Sequence, residues 1–192
     1  MKNILIYCGS SRGHNEIYKN TAIEMGKLLA KRNLRLIYGA GSVGLMGVLA
    51  DTILAEGGEA IGFIPEFLEK WEVGHKNLTE SHTTQTMHER KHKMAELSDA
   101  VIALPGGYGT LDELFEILTW RQLELHQMPI GLLNVNSYFD PLLKMIENMV
   151  LEGFLKEVNK NLLLIANTPT EMLDMLASYE APEPDLKWLS KA

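Results

Sequence analysis

The stretch Leu104-Pro105-Gly106-Gly107-Tyr108-Gly109-Thr110-Leu111-Asp112-Glu113 reads as a strand end, a glycine-rich turn and a helix start within ten residues. Upstream, Asp99-Ala100-Val101-Ile102-Ala103-Leu104 is a short apolar run of the kind a parallel strand buried on both faces requires. Downstream, Leu111, Leu114, Phe115 and Leu118 recur at helical spacing. Three glycines in four positions let the backbone approach a ligand closely. The new helix adds unpaired N–H donors and the positive end of its dipole. Together they predict a cradle for a phosphate monoester.

Just before this stretch, Met87-His88-Glu89-Arg90-Lys91-His92-Lys93-Met94-Ala95-Glu96-Leu97 is helical in spacing, with Met87, Met94 and Leu97 forming an apolar stripe. Arg90 and Lys91 fall on that stripe, which directs two cations toward the interior or a cleft. Snorkelling, with packed stems and charged heads returned to water, accounts for the same pattern. His88 and His92 stand one turn apart, as metal ligands can, but cationic neighbours and the lack of an acidic ligand set point to no metal.

Strands alternate with helices on both sides. Toward the start lie a strand over 3–8, a small-residue turn Gly9-Ser10-Ser11-Arg12-Gly13 that could face the site, a helix over 15–32 and a strand over 34–38. A helix over 45–56, capped by Gly57-Gly58, and a strand over 60–64 closed by Pro65 follow. The segment 66–86 is irregular, and a long connection of this kind makes Glu72, His75 and Glu80 candidates for a wall or lid. Ordinary loop polarity is the simpler explanation of those three residues. Beyond the anchor helix come a strand over 129–135, a helix over 138–152, a strand over 161–166 and a helix over 168–179 capped by Thr168 or Thr170, before a tail expected to be extended. Six strands in this alternation predict one domain over 1–192. Its expected form is an α/β, Rossmann-like doubly wound parallel sheet with helices on both faces and ligands at the carboxyl ends of the strands.

Gly39-Ala40-Gly41-Ser42-Val43-Gly44 matches the dinucleotide fingerprint G-x-G-x-x-G between a strand and a helix. It follows the second strand, however, and the nearest acid beyond the next strand is Glu66, after Pro65. The reading adopted is a tightly packed turn that also lines a nucleotide site, without a nicotinamide cofactor.

Composition narrows the partners. A net charge of −7 disfavours a broad nucleic-acid footprint, and 46% apolar residues without a membrane-length run predict a soluble chain. The start goes directly into a strand with no signal-peptide pattern, so the cytoplasm is expected. Cys8 is the single cysteine and excludes an intramolecular disulfide.

Thr110-x-x-Glu113 also satisfies a capping box, in which Thr110 caps the helix and Glu113 reaches back to it, explaining Glu113 without catalysis. Against this, two carboxylates beside a phosphate cradle would repel the ligand, a conflict typical of functional sites.

The run Pro105 to Glu113 matches the P-G-G-x-G-T-x-x-E signature and resembles the LOG family, the cytokinin riboside 5′-monophosphate phosphoribohydrolases, many of them labelled lysine decarboxylases. Met87 to Lys91 is similar to that family's second motif, Tyr38 to Gly47 to its glycine turn and Glu72 to Glu80 to a loop of its bacterial members. Ala40 stands where the family usually has a third glycine. The resemblance implies hydrolysis of the N-glycosidic bond of a nucleoside 5′-monophosphate, such as AMP or its N6-prenylated form, to free base and ribose 5-phosphate. It implies no metal or organic cofactor and a homodimer. It assigns the essential roles to Arg90 and Glu113, and substrate contacts to Glu72, Lys91, Gly107, Tyr108, Gly109, Thr110, Leu111, Asp112 and Thr119. The family also resembles carrier proteins for the molybdenum cofactor, so a non-catalytic nucleotide or molybdenum-cofactor binder is the alternative.

Overall fold

The computed structural model describes residues 1–69 and 74–181. Its frame is a sheet of seven parallel strands. The first half of the chain runs β1 (Asn3–Tyr7), α1 (Glu16–Lys31), β2 (Arg35–Tyr38), α2 (Gly44–Ala55), β3 (Ala60–Pro65), α3 (Glu66–Glu69), β4 (Glu80–Thr84) and α4 (Met87–Glu96). The second half runs β5 (Ala100–Ala103), α5 (Tyr108–Gln122), β6 (Ile130–Leu133), a short 3-10 turn at Val135–Ser137, α6 (Asp140–Leu151), α7 (Glu157–Lys160), β7 (Leu163–Ala166) and α8 (Pro169–Ala177).

Strand order is β4-β3-β2-β1-β5-β6-β7, so the chain leaves β1 in one direction and returns at β5 to continue in the other. The carboxyl ends of β1 and β5 thus form the switch point where doubly wound sheets open a crevice. Alternation along each strand serves two cores. Ile4 and Ile6 of β1 pack with α1, α2 and α8, whereas Leu5 and Tyr7 pack with α4, α5 and α6. Continuous apolar strands and helices on both faces have the same cause.

The structure corrects the sequence reading at two places. The segment expected to be irregular contains β4, in parallel register with β3 from Ile61↔Glu80 to Pro65↔Thr84. Its sequence, Glu-Ser-His-Thr-Thr, is exposed apart from Thr84, because an edge strand is held by backbone pairing and needs no apolar pattern. The anchor helix starts at Tyr108, with Gly107 as its cap residue and no side-chain cap bond. Thr110 and Glu113 therefore lie inside the helix, and the capping box does not form. The expected extended tail lies outside the described residues beyond Ala181.

Candidate active site

Helices α4 and α5 face each other with charges in register. Arg90 and Lys91 are both buried, so their heads do not escape to water. The Arg90 Nη1 donates to Glu113 Oε1 at 3.1 Å and its Nε donates to the Phe63 carbonyl at 3.0 Å. Lys91 Nζ meets Asp112 Oδ2 at 2.6 Å and Glu116 Oε2 at 3.1 Å. Two consecutive cations of α4 thus meet two consecutive carboxylates of α5.

Gly39 explains how Arg90 is accommodated. A Cβ at that position would stand 1.7 Å from Arg90 Nη2, so any side chain there would displace the guanidinium. The neighbouring Ala40 adopts φ 55, in the left-handed region, and its methyl fits because Gly62 opposite lacks a side chain. The last glycine of that turn, Gly44, packs against the Ser10 backbone and holds the β1–α1 loop. The fingerprint-like turn therefore seats an arginine and a loop by close packing.

Burial drives the electrostatics of Glu113, raising its pKa above the ordinary carboxylate range, while the adjacent Arg90 charge acts in the opposite sense. Lys91 moves the other way. Burial alone would lower its pKa, but the bonds to Asp112 and Glu116 outweigh this and raise it. Burial beside Glu113 also raises the Tyr7 phenol.

The glycines of the turn divide into two kinds. A Cβ on Gly106 would fall 2.1 Å from Thr110 Oγ1 and 2.9 Å from the Gly9 nitrogen, so the fold itself requires glycine there. A Cβ on Gly107 or Gly109 would meet nothing within 4 Å. Glycine in a helix is unfavourable by about 1 kcal/mol relative to alanine, so Gly109 sits in α5 without a packing reason. Among the described residues, no acceptor faces the N–H groups of Gly107, Tyr108, Gly109 or Thr110. A cleft of about 250 Å³ adjoins this turn, bounded by Ser10, Ser11, Arg12, Tyr18, Gly106 and Tyr138.

The structure thus gathers Arg90, Lys91, Asp112 and Glu113 into paired charges and places Gly107, Tyr108, Gly109, Thr110 and Leu111 at the α5 N-terminus. Tyr108 is 94% exposed, Thr110 is buried against Gly106, and Leu111 packs on the core. Thr119 is not brought to this group. Six residues beyond Glu113, it lies about 9 Å further along the helix, its hydroxyl bonded to the Phe115 carbonyl, in a groove with Leu118, Met149 and Leu163. Glu72 lies outside the described residues. His75 is an anchor for its loop: its Nε2 bonds Asp51 Oδ1 at 3.0 Å, its Nδ1 accepts from the Asn77 N–H, and its own N–H donates to the Ala40 carbonyl. Glu80 begins β4 beside His82. Gly39 and Tyr138 were not singled out from sequence for these roles. The motif around Gly39 was visible, but its fit to Arg90 depends on a contact across 51 positions.

Fold and cleft define the class: a doubly wound, Rossmann-like α/β protein with an open helix N-terminus at its switch point. Residues 46–176 match the family model described as "Possible lysine decarboxylase". The chain is 44% identical to the probable cytokinin riboside 5′-monophosphate phosphoribohydrolase LOGL2 of Oryza sativa subsp. japonica, over 97% of this chain and 78% of that protein. It is also 44% identical to the cytokinin riboside 5′-monophosphate phosphoribohydrolase LOG1 of Arabidopsis thaliana, over 93% of this chain and 84% of that one. The chain belongs to this LOG family of phosphoribohydrolases. Among solved structures, the molybdenum cofactor binding protein of Rippkaea orientalis superposes with a TM-score of 0.70 at 23% identity, covering 93% of this chain and 97% of that one. At that identity the likeness concerns the fold alone.

Proposed function

We propose that the protein hydrolyses the N-glycosidic bond of a nucleoside 5′-monophosphate, AMP or an N6-prenylated relative, releasing free base and ribose 5-phosphate. The observation that carries this reading is the placement of Glu113, buried and paired with Arg90, six residues from Gly107 on the same helix. A phosphate at the α5 N-terminus and a carboxylate about 9 Å along the axis bracket a ribose 5-phosphate. The 44% identical relatives named as phosphoribohydrolases support it.

In this reading the free N–H groups of Gly107 to Thr110 bind the phosphate. As the bond from C1′ to the base breaks, positive charge builds on the ribose, and the Glu113 carboxylate stabilises it and orients the incoming water. Water supplies hydroxyl to C1′ and a proton to the departing base. Arg90 opposes the rise that burial imposes on the Glu113 pKa and fixes its rotamer. Lys91 and Asp112 hold α4 and α5 in register beside the substrate, while Tyr108 and Leu111 complete the phosphate end. Glu72 and Thr119 remain proposed substrate contacts on the strength of the family motif.

Lysine decarboxylation, which uses pyridoxal phosphate on a Schiff-base lysine, does not suit these residues. Lys91 is the buried lysine among the described residues, and two carboxylates hold it protonated where a Schiff base needs a free amine. No group of three His, Cys, Asp or Glu side chains able to hold a metal occurs among the described residues, and the reaction we propose calls for no cofactor.

The proposal extends to a single-domain, cytoplasmic homodimer that binds neither nucleic acid nor membrane. Support for the dimer comes from exposed apolar side chains such as Tyr108, Leu151 and Phe154. The charge of −7 disfavours nucleic acid. No helix among the described residues is long and apolar enough to cross a membrane.

The deciding experiment incubates the purified protein with AMP, N6-prenyl AMP and adenosine and measures free base and ribose 5-phosphate. The monophosphates should be cleaved and adenosine should be a far poorer substrate. Binding of AMP without release of base would leave the non-catalytic carrier role as the better reading.

A further inference from the structure

The loop between β6 and α6 holds two consecutive residues in the left-handed region. Asn136 and Ser137 both adopt positive φ, 53° and 55°, a conformation that costs a residue with a side chain on the order of 1 kcal/mol. Around them the loop is firmly tied. Asn134 is buried, its Nδ2 donates to Asp140 Oδ1 at 2.8 Å, and its Oδ1 accepts from the Phe139 N–H at 2.8 Å. The strained pair leads directly into Tyr138, whose hydroxyl donates to the Gly106 carbonyl at 2.7 Å across the wall of the 250 Å³ cleft. The Tyr138 ring rests edge-on against Tyr18 at 5.7 Å and Phe139 at 4.9 Å.

That one hydrogen bond fixes a whole peptide plane. The Gly106 carbonyl and the Gly107 N–H belong to the same trans peptide and point in opposite directions. Because both flanking residues are glycine, this plane is the part of the turn with least steric resistance to rotation. A rotated plane would present a carbonyl oxygen where an anion needs a donor.

We propose that Tyr138 is a positioning residue for the phosphate end of the substrate, holding the Gly106–Gly107 peptide so that the Gly107 N–H stays directed at the phosphate oxygens. The proposal rests on the hydrolase reading for its substrate but not for its test. Tyr138 touches the backbone of the cradle and not the reacting atoms, so its effect falls on binding.

Tyr138→Phe keeps the ring contacts and removes only the hydroxyl. The expected result is a three- to tenfold rise in KM for AMP, about the worth of one hydrogen bond, with kcat within about twofold of wild type. Calorimetric affinity for ribose 5-phosphate should fall by the same factor, while kcat/KM for adenosine, which has no phosphate, stays unchanged. A melting temperature near that of wild type should accompany this. Unchanged KM and unchanged ribose 5-phosphate affinity would overturn the proposal, as would equal losses on AMP and adenosine. If wild type binds AMP without cleaving it, the hydrolase reading fails, and the affinity ratio between wild type and Tyr138→Phe still decides the role of Tyr138. Should Tyr138→Phe melt far below wild type, Asn136→Gly, which relaxes the strained loop while keeping the hydroxyl, should retain AMP affinity; a tenfold loss there would count against a role for the hydroxyl itself.

Discussion

Helices α8 and α5 begin in opposite ways. At α8, Thr168 Oγ1 accepts from the Glu171 N–H at 3.3 Å and Glu171 Oε2 accepts from the Asn167 N–H at 3.0 Å, so side chains satisfy the helix end. Helix α4 does the same with Thr86 and Glu89, the latter bonding the Gln85 N–H at 2.6 Å. At α5 the same letters, Thr110 and Glu113, do none of this: the helix starts earlier, at a glycine, and Glu113 turns to Arg90. Helices α4 and α8 thus use a Thr and a Glu three residues later to satisfy donors at their starts, yet the N-terminus at the switch point of the sheet keeps its donors free. Such a departure from local rules is expected where a ligand supplies the missing acceptors.

Glu113→Gln gives the largest expected effect on this contrast. Glutamine can still accept from Arg90 but carries no negative charge, so kcat on AMP should fall on the order of a hundredfold or more with little change in melting temperature. A capping role would leave kcat near normal. Steady-state kinetics beside a melting curve separates the two.

A second effect concerns pH. Burial raises the Glu113 pKa and Arg90 opposes the rise. A carboxyl whose folded pKa lies above its unfolded value favours the fold while protonated and loses that contribution as pH rises through the folded pKa. Arg90→Met removes the lowering influence, so its stability should fall as pH rises through the Glu113 ionisation, and do so at higher pH than in wild type. Adding Glu113→Gln to Arg90→Met should abolish that slope. Parallel melting curves for the single and double variants across pH would refute the coupling.

Much of the architecture was legible because buried parallel strands and amphipathic helices write their contacts locally. The apolar runs ending at Cys8, Tyr38 and Leu104 and the stripe that carries Arg90 and Lys91 show this, and both cations are buried as that stripe implies. What was not legible depends on distant partners. β4 is polar and exists through pairing with β3, and Gly39 is glycine because of a guanidinium from another helix. The capping box failed as a reading because Thr-x-x-Glu is a local pattern. Its use at 110–113 was decided by Arg90, 23 residues away, and by a turn that starts the helix at Tyr108. Nothing local marked Tyr138, whose partner Gly106 is 32 residues distant.

The smallest effects are those on stability at the helix ends, and they should differ in sign. Thr168→Ala removes a cap and should cost about 1 kcal/mol without changing AMP affinity. Gly109→Ala adds a methyl where the fold has space and should leave stability unchanged or raise it by up to about 1 kcal/mol. The most direct measurement of the central claim, that the α5 N-terminus is kept open for the substrate phosphate, is therefore Gly109→Ala read twice, by melting temperature and by calorimetric affinity for ribose 5-phosphate. The account predicts a melting temperature at or above wild type with affinity reduced about tenfold or more. A variant equally or more stable that binds ribose 5-phosphate as tightly as wild type would contradict it.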